Sequence, residues 1–239
     1  MRPLCIMVTG DPVPSALAQR GDFATLMRQT AANAYDGAWA EIDARGAVAY
    51  PEPETLCGLV VTGSAASVTD REPWMLKGQA YLQRAVTVGL PVLGVCFGHQ
   101  MLAEALGGRV AKNPRGREIG TVELELFVDD DPVVGDPQRP YQVNMSHVDS
   151  VVALPPAAEL LGSTALDPHA ALRFGERAWG VQFHPEFDRD IVGHYANSRA
   201  EQLLAEGFEP GQVTRTAGDA PAGASVLARF ARLVRGWCG

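Results

Sequence analysis

The residues in this 239-residue chain best suited to chemistry are one cysteine and a histidine–glutamate pair far from it in sequence. Cys96 stands in GVCFGHQ, residues 94–100, after the apolar run LPVL and before a stretch of helical composition. A strand that ends in Gly-x-Cys-x-Gly and enters a helix matches the nucleophile-elbow pattern, with cysteine in place of serine. Such a turn is tight, and Gly94 and Gly98 leave space where a Cβ would collide with neighbouring backbone. The turn pushes the Cys96 side chain out at the carboxyl edge of a sheet, where the adjacent helix N-terminus favours the thiolate. On this heptapeptide alone, a cysteine packed as a small hydrophobe fits as well. A thiolate nucleophile needs a general base, and the base needs an orienting carboxylate. WGVQFHPEF supplies both, with His184 after an apolar strand-like run and Glu186 two residues on. In an extended backbone residues i and i+2 share a face, and Pro185 keeps His184 out of the helical region, so imidazole and carboxylate can meet locally. A nucleophile, base and carboxylate triad of Cys96, His184 and Glu186 follows as the expectation.

The elements that must carry these residues are legible as patterns. LCIMVTG (4–10), LCGLVVTGS (56–64) and LPVLGVC (90–96) are short apolar runs closed by turn formers, the form of strands buried on both faces of a parallel sheet. Residues 72–89 place apolar side chains at helical spacing between a proline and a glycine, and GDFATLMRQTAANAYDG separates the first strand from AWAEIDA. The first hundred residues thus predict an α/β fold with a mostly parallel central sheet. GHQMLAEALGG reads as a helix stopped at Gly107 and Gly108. Beyond it, the short runs from RVAKN to AWGVQF predict a strand-rich, partly antiparallel section. Helix returns at 188–206, and ASVLARFARLVRGW aligns Val226, Leu227, Phe230, Leu233 and Val234 on one face for docking against the sheet. Between them, Glu209 to Ala224 is rich in Gly, Pro and Thr and reads as loop; DDDP, residues 129–132, reads as a solvated loop with a helix start near Asp131. Without a repeat or a long linker, residues 1–239 read as a single domain with a C-terminal helical extension from about residue 207.

Composition narrows the partners. The 46% hydrophobic and 20% charged content is ordinary for a globular chain with one substantial core. A net charge of −8 without a basic run argues against nucleic acid and against an anionic membrane surface. Cys5, Cys57, Cys96 and Cys238 lack C-x-x-C spacing, so neither a zinc ribbon nor a disulfide framework is suggested, and a reducing cytoplasm is the expected setting. The start, MRPLCIMVTGD, has an apolar run too short for a secretory h-region and nowhere do eighteen apolar residues run together, so neither a leader nor a membrane span is expected. There is no phosphate loop, no dinucleotide fingerprint and no His/Cys/Asp metal spacing, so no cofactor and no metal are expected.

GVCFGHQ together with VQFHPEF resembles the pattern of class I glutamine amidotransferases, and VTGSAASV, GREIGTVELEL and NMSHVDSV match its intervening landmarks in order. The resemblance runs from about Leu4 to beyond Glu186 and, within the family, is closest to stand-alone guanylate-synthase-like members. It implies a flavodoxin-like fold with helices on both sheet faces. It also implies attack of Cys96 on the γ-carboxamide of glutamine or another γ-glutamyl compound, through a thioester. His184 would shuttle the proton and Glu186 would hold the imidazole tautomer. The backbone N–H groups of Ser64 and Phe97 would form the oxyanion hole, and Gln100, Ser146 and Val148 would hold the amino-acid end of the substrate. Departures from the pattern are Ser64-Ala65, where the family commonly has Gly-Pro, and Val148, where it often has glycine.

Three functions share this constellation. One is an ammonia donor serving a separate synthetase subunit, another a self-sufficient hydrolase of γ-glutamyl amides or peptides, and the third a catalytically weakened binding relative. Among the remaining histidines, His147 reads as a structural hydrogen-bonder near the site, His99 as a helix-surface residue, and His169 and His194 as isolated.

Overall fold

In the computed structural model, which describes residues 2–46, 49–136 and 139–238, the short apolar runs become the strands of one large sheet. The first half alternates β1 (Leu4–Val8), α1 (Pro14–Arg20), α2 (Phe23–Ala31), β2 (Trp39–Asp43), β3 (Gly58–Val61), α3 (Pro73–Thr87), β4 (Val92–Val95) and α4 (Phe97–Ala105). Short strands follow: β5 (Arg109–Lys112), β6 (Glu118–Glu123), β7 (Glu125–Leu126), β8 (Gln142–His147), β9 (Asp149–Ala153), β10 (Glu159–Ser163), β11 (Ala171–Gly175) and β12 (Ala178–Val181). The chain closes with α5 (Arg189–Ser198), α6 (Ala200–Ala205), α7 (Pro210–Thr216) and α8 (Pro221–Trp237).

The eight-stranded sheet runs β2-β1-β3-β4-β12-β11-β10-β7, parallel from β2 to β12 and antiparallel beyond. Two further antiparallel pairs, β5-β9 and β6-β8, stand apart from it. Alternate residues of the central strands enter opposite cores, as the period of two requires. Leu4, Ile6, Val60, Leu93 and Val95 face α2 and α8, whereas Cys5, Met7, Leu59, Val61 and Val92 face α3 and α4. Burial on both faces explains why these strands read as continuous apolar runs. Val226, Leu227, Phe230 and Val234 of α8 are fully buried, and Leu233 packs at the edge of the same core.

Several expectations need correction. Most of the segment from Glu209 to Ala224 is helix rather than loop, residues 217–220 excepted: Pro210 and Pro221 each occupy the first turn of a helix, where a missing N–H costs nothing. The helix expected over 188–206 is broken at Arg199, and no helix starts at Asp131. Asp131 is instead a buried turn residue whose carboxylate accepts from the N–H groups of Val133 and Val134 and from Trp179 Nε1. Cys57 and Cys238 form a disulfide that ties the end of α8 to the approach to β3, a pairing 181 residues apart that no local spacing announces. His99 is completely buried against Gly180 and Phe174, because α4 is enclosed on nearly every side and has no solvent face there.

Candidate active site

β4 and β12 lie side by side and parallel, with Val95 opposite Val181, so the residues that follow both strands emerge at one sheet edge. This pairing brings Cys96 and His184 together. The Cys96 N–H donates to Val181 O at 2.8 Å, and the His184 N–H donates to Asn144 O at 2.9 Å, which fixes both backbones. Cys96 has φ of 52°, a left-handed conformation costly for a non-glycine residue and typical of a strained functional turn. The flanking glycines are required sterically. A Cβ on Gly94 would lie 2.5 Å from Gly98 O, and one on Gly98 would lie 2.4 Å from Val61 O.

His184 and Glu186 meet through a turn rather than through extended strand geometry. The Phe187 N–H donates to His184 O at 3.2 Å and folds the chain back across Pro185. His184 Nδ1 and Glu186 Oε1 are then 2.7 Å apart, while the imidazole stacks on Phe187 at 4.0 Å between ring centroids. With Nδ1 engaged, the other ring nitrogen is the one left for the sulfur of Cys96. Burial opposes ionisation of the Cys96 thiol, but the charge and hydrogen bond of His184 outweigh it, holding the thiol below its ordinary value. Burial likewise disfavours the His184 cation; the negative charge of Glu186, then that of Cys96, overcomes it and pushes the imidazole up to about 10.

Cys96 is only 5% exposed, yet its side chain lines a cavity of about 450 Å³. Ser64 and Phe97 line the same cavity, and neither backbone N–H has a hydrogen-bond acceptor among the described residues. The Ser64 loop is held from two sides. Thr9 Oγ1 donates to Thr62 O at 2.8 Å and to Gly63 O at 3.0 Å, and a Cβ on Gly10 would strike Ser64 Cα at 2.7 Å. Gly63 itself lies against the His184 ring, since a Cβ there would be 2.7 Å from Cε1. Gln100, Ser146 and Val148 also line the cavity, although the Gln100 side-chain amide already donates to Asp149 O and Gln182 Oε1.

Two arginines on this wall have no counterpart in the sequence reading, Arg117 and Arg199. Arg117 lies within GREIGTVELEL, but nothing local marks either guanidinium as facing the cavity. His147 is buried, with Nε2 3.2 Å from Glu118 Oε2 and Nδ1 3.0 Å from Asp149 O. His169 Nδ1 lies 2.6 Å from Val151 O and His194 Nδ1 lies 3.1 Å from Ser15 Oγ, so both have partners. No metal-ligating cluster occurs among the described residues.

Fold and site together define an α/β domain with a cysteine on a strand-to-helix elbow beside a buried histidine–glutamate pair. The family model "Glutamine amidotransferase class-I" matches residues 40–196, and the chain belongs to that family of cysteine-dependent amidohydrolases. Among curated relatives, a glutamine-hydrolysing GMP synthase of Thermomicrobium roseum is 39% identical over 57% of this chain and 24% of its own length. The corresponding protein of Aeropyrum pernix is 33% identical over 71% of this chain and 34% of its own. This chain therefore spans about a quarter to a third of those relatives. A glutamine amidotransferase-like protein of Schizosaccharomyces pombe is matched more evenly, 27% identical over 79% of this chain and 81% of that one. Among solved structures, a glutamine amidotransferase of Thermotoga maritima shares the fold with a TM-score of 0.76 at 19% identity, covering 98% of this chain and 99% of that one.

Proposed function

We propose that the protein hydrolyses the γ-amide of glutamine, or of a related γ-glutamyl compound, at Cys96. The Cys96 thiolate attacks the γ-carbonyl carbon, and the oxyanion is received by the Ser64 and Phe97 amides. His184 transfers its proton to the leaving nitrogen, releasing ammonia and a γ-glutamyl thioester. Water, deprotonated by the same imidazole, then breaks the thioester to give glutamate and the free thiol. Glu186 keeps Nδ1 protonated so that the catalytic nitrogen always faces the sulfur. The observation that carries this reading is the strained Cys96, which lines one cavity with Ser64 and Phe97 and is backed by the buried His184–Glu186 pair.

The chain acts as one amidotransferase domain throughout, with α7 and α8 packed against it. The ammonia acceptor would be a synthetase on a separate polypeptide, as the relation to glutamine-hydrolysing GMP synthases suggests. Among the described residues no helix is long and apolar enough to cross a membrane, and with the Cys57–Cys238 disulfide formed, cysteine usage no longer points to a reducing compartment. Ammonia release from L-glutamine by the purified protein tests the proposal. Cys96→Ser should reduce the rate to background, and a variant as fast as the parent would remove Cys96 as the nucleophile. Stimulation on adding an ATP-dependent synthetase subunit would support the donor role; equal rates with and without one, alongside faster cleavage of γ-glutamyl peptides, would favour the self-sufficient hydrolase.

A further inference from the structure

Arg199 stands where α5 ends and α6 begins, at φ of −110° and ψ of 18°, a break in the helix that turns its side chain toward the cavity. Its Nη1 donates to Ser146 Oγ at 2.8 Å, and its guanidinium carbon lies 5.0 Å from the centre of the Tyr195 ring. The neighbouring Arg117 is already neutralised by Glu206, with Nε and Nη2 at 2.7 and 3.1 Å from the two carboxylate oxygens. Among the described residues, Arg199 has no such carboxylate. It is half-buried, and burial first, then the like charge of Arg117, holds its guanidinium below the ordinary range. A planar fork of N–H donors, partly desolvated, preorganised by Ser146 and Tyr195 and lacking an anion, is matched to a carboxylate.

We propose that Arg199 recognises a substrate carboxylate and makes it a condition of tight binding, an assignment that rests on the cavity being a γ-glutamyl site. Two parts of a γ-glutamyl substrate could supply that group: the α-carboxylate of the glutamyl unit, or a carboxylate on the leaving amine. Neither hydrogen bonding to Ser146 nor stacking on Tyr195 needs a negative charge in the cavity, so a purely structural role for Arg199 would be indifferent to the ligand's charge.

The test is calorimetric binding to Cys96→Ala protein, in which no turnover occurs, with Arg199 intact, changed to Met, or changed to Lys. One ligand pair is L-glutamine and its α-amide; the other is γ-glutamylglycine and γ-glutamyl ethylamide. Arg199→Met should weaken the carboxylate-bearing member of one pair by about 10- to 100-fold more than its partner, the range expected for loss of a charged hydrogen bond. Arg199→Lys should recover part of the loss. Selectivity lost in the first pair assigns the α-carboxylate, and in the second pair the leaving group. Equal changes for both members of both pairs, or no change, overturn the role of Arg199 while leaving the γ-glutamyl site standing. Failure of the Cys96→Ala protein with Arg199 intact to bind any of the four ligands overturns both.

Discussion

Glu186→Gln isolates the electrostatic link between carboxylate and sulfur, because it removes one charge and almost no volume. Glu186 acts on Cys96 in two opposing ways. Directly, its negative charge disfavours the thiolate; indirectly, it stabilises the His184 cation, which favours the thiolate. The indirect path should win. Glu186 touches Nδ1 at 2.7 Å and is the largest favourable influence on His184, whereas it is the weakest of the influences on Cys96. Exchanging the charged acceptor for a neutral one forfeits the extra strength of a charge-assisted hydrogen bond and the attraction to the cation, on the order of 1.5–3 kcal/mol. At 1.36 kcal/mol per pKa unit, ion-pair formation weakens by about 1–2 units. The pH midpoint of Cys96 alkylation by iodoacetamide should therefore rise by about 1–2 units, with a matching fall in rate near pH 7. An unmoved or lowered midpoint would refute the reasoning, because the direct repulsion would then dominate. Stability should fall as well, because breaking a buried ion pair leaves the His184 cation without its partner, and urea denaturation of the same variant checks this.

Gly63→Ala would place a methyl group 2.7 Å from His184 Cε1, so the ring must shift; alkylation of Cys96 should slow, with a stability cost of about 1–3 kcal/mol for the overpacking. Unchanged labelling kinetics in folded Gly63→Ala protein would mean the loop does not brace the imidazole. Asp188 caps α5 through the Ile191 N–H and pairs with Arg20; burial raises its pKa, but these partners hold the carboxyl below its ordinary value of 3.8. A depressed folded-state pKa contributes stability present above the unfolded value and lost as pH falls through the folded one, so Asp188→Asn should flatten the decline in thermal midpoint below about pH 4. Parent and variant declining in parallel over that range would exclude the contribution.

What the sequence determined by itself was local. Runs such as LCGLVV and LPVLGV can satisfy burial on both faces only inside a parallel sheet, and glycines two residues either side of Cys96 permit a left-handed elbow that Cβ-bearing residues would block. The His184–Glu186 contact was equally legible as a pair, because only Pro185 separates them, although the conformation that joins them is a turn. Where local signals misled, the physical cause is specific. Pro210 and Pro221 mark loops by composition but start helices by position. His99 looked exposed because periodicity cannot show a helix enclosed on nearly all sides. The tertiary structure decided what converges. Val95 opposite Val181 sets Cys96 beside His184, the disulfide joins Cys57 to Cys238, and the broken α5–α6 junction turns Arg199 toward the same cavity as Arg117. Periodicity specifies the face of an element on which a side chain lies; only long-range strand pairing and helix packing determine which faces meet.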